Sequence, residues 1–271
     1  MTESSSTPGG NGPAIDSSMP HSARVWNYWL GGKDFYPVDR MVGDQVMQVF
    51  PDISRLARAD RAFLGRAVRF LAGEAGIRQF LDIGTGIPAA NNTHEVAQSV
   101  APDSRVVYVD NDPIVLVHAR ALLASSLQGS TQYVEGDLRD SGPILNAAAA
   151  TLDFAQPVAL MLLGIMHLIS DSEEPYRIVA ALMDALPSGS YLALSHPAID
   201  INAAQAEAQR RYNERVSTPQ TLRTRDEVAR FFDGLELVPP GLSYVHAWRP
   251  DPDERAPSST VSAHGGVARK P

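Results

Sequence analysis

Between Gln79 and Ser195 the chain alternates short apolar runs with segments of helical spacing, and this alternation restricts the fold more than any other feature. Runs at 79–83, 105–109, 131–135, 158–163 and 191–195 read as strands. The run at 158–163 is apolar throughout, as in a strand buried on both faces. Helices are expected at 92–100, 112–124, 143–152 and 175–186. Asn92 and Glu95 have capping-box spacing, and Asp112-Pro113 pairs an N-cap with proline at the first helical position. Strands alternating with helices predict an α/β domain on a mostly parallel sheet. Such sheets bind ligands beyond the carboxyl ends of their strands.

Outside this stretch the signals differ. Residues 1–20 are Ser/Gly/Pro-rich and read as a disordered leader. From 250 onward the composition is again Pro/Ser/Ala/Gly-rich, and a flexible tail is expected over 250–271. The folded unit is then a single domain, 21–249, with a helical N-terminal cap over 21–76. Its first part crowds Trp26, Tyr28, Trp29, Phe35 and Tyr36 around Gly31-Gly32-Lys33. Residues 52–71 carry apolar positions at helical spacing with arginines between, stopped by Gly73 and Gly76. Beyond the fifth strand, 201–216 and 224–232 read as helices, and 235–238 with 243–248 as a final strand pair.

Composition removes several function classes. The formal net charge is −8, against a bulk electrostatic nucleic-acid binder. There is no cysteine, hence no disulfide, thiolate metal site or cysteine nucleophile. No apolar run reaches the ~20 residues of a membrane helix, and a signal pattern is lacking, so a cytoplasmic protein is expected.

The strand ends carry the chemistry. The first strand runs into Leu81-Asp82-Ile83-Gly84-Thr85-Gly86. Glycines there let a ligand approach the backbone closely. Asp82, inside the strand, would suit a cationic amine and repel a pyrophosphate. Pro88, Asn91 and Asn92 lengthen the loop, whereas a pyrophosphate site wants the helix directly after the glycines. Asp110 and Asn111 end the second strand. Assigning the helix cap to Asp112 leaves the Asp110 carboxylate for ribose hydroxyls. Asp137 and Leu138 end the third strand, where a carboxylate can accept from an adenine amino group and leucine can cover the ring.

The order Asp82-x-Gly84-x-Gly86, Asp110, Gly136-Asp137-Leu138 resembles class I S-adenosylmethionine-dependent methyltransferases. More narrowly, the stretches 22–34, 80–86, 107–113 and 189–192 resemble an actinobacterial S-adenosyl methyltransferase family first catalogued as a domain of unknown function. The resemblance implies a Rossmann-like, mostly parallel seven-stranded sheet with an antiparallel last strand, and S-adenosyl-L-methionine as cofactor. It supplies no acceptor and no catalytic residue.

On that reading, Asp82, Gly84, Thr85 and Gly86 hold the methionine part, Asp110 and Asn111 the ribose, and Asp137 and Leu138 the adenine. The methionine carboxylate needs a cationic or hydroxyl partner. Arg24, Tyr28 and Lys33 are the candidates, on a segment closing over the cofactor, where Gly32 permits close backbone approach. His167 and His196, after the fourth and fifth strands, are the candidate catalytic groups, because imidazole titrates near neutral pH. Asp171 and Asp200 are too loosely placed to claim a metal. The expected activity is methyl transfer to a small-molecule acceptor. An inert or regulatory cofactor-binding protein is the alternative, and an NAD-type oxidoreductase using Gly84, Gly86 and Ala89 the remote one.

Overall fold

The computed structural model describes residues 16–115, 117, 128–216, 218–251 and 260–271. Its sheet contains β1 (Gln79–Ile83), β2 (Arg105–Asp110), β3 (Ser130–Glu135), β4 (Ala159–Leu163), β5 (Tyr191–Pro197), β6 (Glu236–Leu237), β7 (Ser243–Tyr244) and β8 (Ala263–Arg269). The order is β3-β2-β1-β4-β5-β8-β6, with β7 also on β8. The first five strands pair in parallel. β8 runs antiparallel to β5 along its whole length. β6 meets β8 at Ala268–Arg269 and β7 meets it at His264–Gly265, so both lie along its other edge and share one position. The sheet is thus seven positions wide, with its antiparallel strand inside.

Helices cover both faces. α1 (Ser22–Leu30), α2 (Pro37–Val49), α3 (Ile53–Arg69), α4 (Thr93–Val100) and α7 (Ala203–Asn213) contribute to one core, and α5 (Ser141–Ala148), α6 (Pro175–Asp184) and α8 (Arg225–Ala229) to the other. The pleat sorts side chains between them, since successive residues point to opposite faces. Phe80, Val106, Tyr108 and Met161 face the first core, and Leu81, Val107, Val109 and Leu160 the second. Asp82 shares the face of Phe80, which aims it at α4.

Two expectations need correction. The tail expected to be flexible ends in β8, whose residues Ala263–Ala268 are all buried. Its small residues are a packing requirement. A Cβ on Gly265 would lie 3.0 Å from the Phe63 ring and from Val245 Cγ1. The final strand pair also does not form: β6 and β7 each pair with β8, not with each other. Of the expected leader, 1–15 lie outside the described residues. The carbonyls of Asp16 and Met19 accept from the Arg24 guanidinium at 3.3 and 3.2 Å. The helix after β2 is described only at 113–115 and 117.

Candidate functional site

β1, β2, β3 and β4 all end at one cavity, which α1 and α3 close from the N-terminal side. Its floor is the turn after β1. The N–H groups of Gly84 and Thr85 donate to Val109 O at 2.8 and 3.3 Å, bending the backbone across the end of β2. Gly84 and Gly86 have φ of +76° and +67°, a region that strains any side-chain-bearing residue. A Cβ on Gly84 would strike Ile165 at 2.5 Å, while Gly86 faces open space.

Four carboxylates reach this cavity. Asp110, 7% exposed, accepts from Gly86 N–H at 2.8 Å and from Asp112 N–H at 2.9 Å. Asp112 takes the cap, accepting from Ile114 N–H at 3.0 Å. Burial raises the Asp110 carboxyl, against the pull of those two N–H bonds. Asp82 accepts from Thr93 Oγ1 at 2.6 Å, and burial pushes its carboxyl up to about 6. Asp137 lies nearer solvent and is fastened by Arg139 through the backbone N–H at 3.0 Å and Nη1 at 3.1 Å. Arg139 also donates to Leu168 O, tying the β3 loop to the β4 loop. Thr85, Asn111 and the buried Leu138 complete the expected residues on the wall.

The fourth carboxylate, Asp60 on α3, was not expected. It is 8% exposed, and burial pushes it up to about 6 despite the Ser195 hydroxyl and nearby Arg61. Arg61 also lines the cavity. Its Nε and Nη2 brace the loop before α4 through Ala90 O at 3.3 and 3.1 Å and Asn92 Oδ1 at 2.7 Å, bonds that do not involve Nη1. The sequence carries a signal for this pair. Asp60-Arg61 interrupts an apolar stripe through Leu56, Ala57, Phe63 and Leu64, placing an acid where a buried side chain belongs.

α1 does wall the cavity, but with Ser22, Ala23, Trp26 and Trp29. The four residues expected from this segment lie elsewhere. Arg24 is buried against Asp39 at 3.5 Å and Asp112 at 3.6 Å. The Tyr28 hydroxyl donates to Asp44. Gly32 sits against Asn27, where a Cβ would come within 2.3 Å of Oδ1. Lys33 is exposed. The side-chain chemistry of a residue does not decide its placement here; helical periodicity decides which face of α1 looks inward.

The two histidines also separate. His167 lines the cavity, is 5% exposed, and its Nδ1 has no partner. Burial, then the Arg223 charge, push it down to about 3, so it is a neutral imidazole. His196 is fully buried behind the wall. Arg223 Nη1 donates to its Nε2 at 3.0 Å, so Nδ1 carries the proton and donates to Pro197 O at 2.7 Å. With both nitrogens engaged and burial holding it well below the usual imidazole range, His196 braces the fold and does not face the cavity. Arg223, 1% exposed, is the organiser: it also donates to Met166 O at 3.0 Å, Ile169 O at 2.9 Å and Asp171 Oδ1 at 2.7 Å.

A glycine turn, a ribose-placed acid and a second acid two residues before the glycines fit a cofactor with an amino-acid part and a nucleoside part. Comparison with known proteins agrees. No curated protein matches the chain. Among solved structures, a DUF574 family protein of Streptomyces avermitilis is 48% identical, with a TM-score of 0.91 over 95% of this chain and 100% of that one. A protein of Thermobifida fusca, described as a proposed methyltransferase, is 44% identical, with a TM-score of 0.87 over 95% of this chain and 97% of that one. The mitomycin 7-O-methyltransferase MmcR, 13% identical with a TM-score of 0.51 over 91% of this chain and 71% of that one, shares the fold alone. The S-adenosyl methyltransferase family matches residues 9–271, and with the glycine turn, Asp110 and Asp137 all meeting at one cavity, the chain belongs to that family: it is a class I, S-adenosylmethionine-dependent methyltransferase.

Proposed function

We propose that the cavity at the carboxyl ends of β1–β3 holds S-adenosylmethionine, and that the chain transfers its methyl to a small-molecule acceptor in the cytoplasm of an actinobacterium. The observation that carries the assignment is the convergence of the glycine turn with Asp82 and Asp110 on one buried wall. Relatives from Streptomyces and Thermobifida support the source. The net charge of −8 speaks against a nucleic-acid acceptor.

When bound, the cofactor supplies a methyl on a sulfonium sulfur, which takes back the bonding pair as an acceptor lone pair captures the methyl. The residues hold, orient and exclude water. Asp110 has lone pairs left for the ribose hydroxyls after its two N–H bonds. Asn111 would frame the same part, Gly84, Thr85 and Gly86 would hold the methionine part, and Asp137 with Leu138 would meet the adenine. Asp82 and Asp60 face the amino group, and Arg61 replaces Arg24 and Lys33 as partner of the carboxylate. With Arg139 paired to Asp137 at the rim, the three buried acids Asp60, Asp82 and Asp110 beside Arg61 suit a ligand with two positive centres and one carboxylate.

Arg61 gives the test. Arg61→Leu will lower affinity for S-adenosylmethionine by roughly tenfold to a hundredfold, the ~1.5–3 kcal/mol of a charged hydrogen bond. It will leave affinity for the decarboxylated cofactor nearly unchanged. Equal losses for both ligands, measured by calorimetry, would show that Arg61 only braces the loop.

A pH dependence follows as well. Asp60 and Asp82 titrate near 6 in the free protein, above the usual 3.8. A ligand ammonium favours their ionised form, so binding below pH 6 must release protons. Affinity will therefore fall as pH drops below 6, approaching about tenfold per unit for each coupled group, and will level off above it. Titrations in buffers of unlike ionisation enthalpy will show proton release at pH 5.5. Proton uptake there would contradict the assignment.

A further inference from the structure

Beside the cofactor cavity lies a second, smaller pocket, enclosed by α1, α2, α3 and α7. The two share Trp26, Trp29, His167, Tyr212 and Gln220, so the pocket adjoins the cavity along that wall. Its own lining is mostly apolar, with Phe50, Ile53, Leu56 and Leu222 prominent beside Gln205 and Gln209, and among the described residues no Asp, Glu, Lys or Arg lines it. Two buried polar atoms on its lining residues lack partners. Gln205 donates through Nε2 to Ser262 O at 3.2 Å, which leaves its carbonyl Oε1 orphaned. His167 leaves Nδ1 orphaned. Buried polar atoms without partners are uncommon in folded proteins and call for a ligand or water.

We propose that this pocket seats the methyl acceptor, and that the acceptor is an uncharged, largely apolar molecule whose reacting group is a hydroxyl hydrogen-bonded to His167. The inference rests on the neighbouring cavity being the cofactor site. The lining selects for neutrality, because a carboxylate or an aliphatic ammonium would be stripped of water with no counter-charge facing it. The orphaned atoms select for a donor. An apolar molecule with a hydroxyl can satisfy His167 while its body fills the space between Trp29 and Ala208. A neutral imidazole flanked by Arg223 holds a proton poorly, so it does not ionise the hydroxyl beforehand. The oxygen becomes strongly acidic only as it bonds to the methyl carbon. His167 then takes the proton and passes it to solvent through the open cavity. His167 therefore contacts the acceptor, while Arg223 acts through it as a positioning residue.

The test uses the full chain saturated with S-adenosylhomocysteine, and 4-iodophenol as probe with 4-iodobenzoate as its charged control. Calorimetry is expected to show 4-iodophenol binding at least tenfold more tightly than 4-iodobenzoate. Anomalous scattering from the iodine is expected to place the probe between Trp29 and Ala208. Ala208→Leu, which fills the pocket, is expected to weaken the probe at least tenfold and leave S-adenosylhomocysteine affinity unchanged. If that variant does not melt cooperatively, His167→Leu serves: it removes the nitrogen that takes the hydroxyl and should erase the preference for 4-iodophenol over iodobenzene. Iodine found elsewhere, no binding of the phenol, or equal affinity for phenol and benzoate, with S-adenosylhomocysteine bound normally, overturns the acceptor inference and leaves the cofactor reading standing. Failure of the wild type to bind S-adenosylhomocysteine overturns both.

Discussion

A chain ending at Pro250 will not fold. The missing residues include β8, which pairs with β5 at every position from Tyr191 to Pro197. Without it β5 becomes an open edge, and β6 and β7 lose the strand they pair with. Val267 and Ala268 leave opposite cores, and Phe63 and Phe232 lose the glycines they close over. A strand in the interior of a sheet cannot be traded for water, because its neighbours' backbone groups are then buried without partners. The truncated chain is expected to show no cooperative thermal transition and no near-ultraviolet circular dichroism. A truncation melting within a few degrees of the full chain would restore the view of 250–271 as an accessory tail.

Replacing the buried Arg223 with methionine carries the next largest effect. Its guanidinium satisfies the carbonyls of Met166 and Ile169 and fixes the tautomer of His196. Methionine fills much of the volume but donates nothing. The Met166 carbonyl keeps its bond from Ile169 N–H, but the Ile169 carbonyl and His196 Nε2 are left without donors, and at ~1–3 kcal/mol each they give a loss of about 2–6 kcal/mol, read from chemical unfolding. The bond to Asp171 adds little, since that carboxylate is 71% exposed and regains water. Because the same arginine holds the 166–171 segment, methyl transfer should fall further than stability explains, with cofactor affinity nearly intact. A variant that keeps both its stability and its turnover would remove Arg223 from its organising role.

Much of this was legible in the sequence, for identifiable reasons. The first, second, fourth and fifth strands are bulky apolar runs between clear helix signals, and the acids and glycines at the strand ends are set by the requirement that a sheet binds beyond its carboxyl edge. Asp82, the Gly84–Gly86 turn, Asp110 and Asp137 therefore fell into one cavity as expected. β8 was hidden because Ala-His-Gly-Gly-Val-Ala-Arg has little bulk and no clean alternation. It is small because aromatic rings from both faces pack on it, a constraint that appears only in three dimensions. Arg24 and Tyr28 fall off the cavity wall because the periodicity of α1 sets which of its residues look inward, and Gly32 and Lys33 lie beyond its end. Positions 22, 23, 26 and 29 share one face of α1, and that face meets the cavity. Asp60 and Arg61 lie far from the glycine turn in sequence, and only the packing of α3 brings them to it.

The most direct test of the account is a calorimetric titration of S-adenosylhomocysteine into the wild type and into Asp110→Ala. The wild type is expected to bind one equivalent. The variant is expected to melt cooperatively yet bind roughly tenfold to a hundredfold more weakly, the ~1.5–3 kcal/mol of a lost charged acceptor. A folded Asp110→Ala protein with unchanged affinity would contradict the placement of the cofactor at the ends of β1–β3.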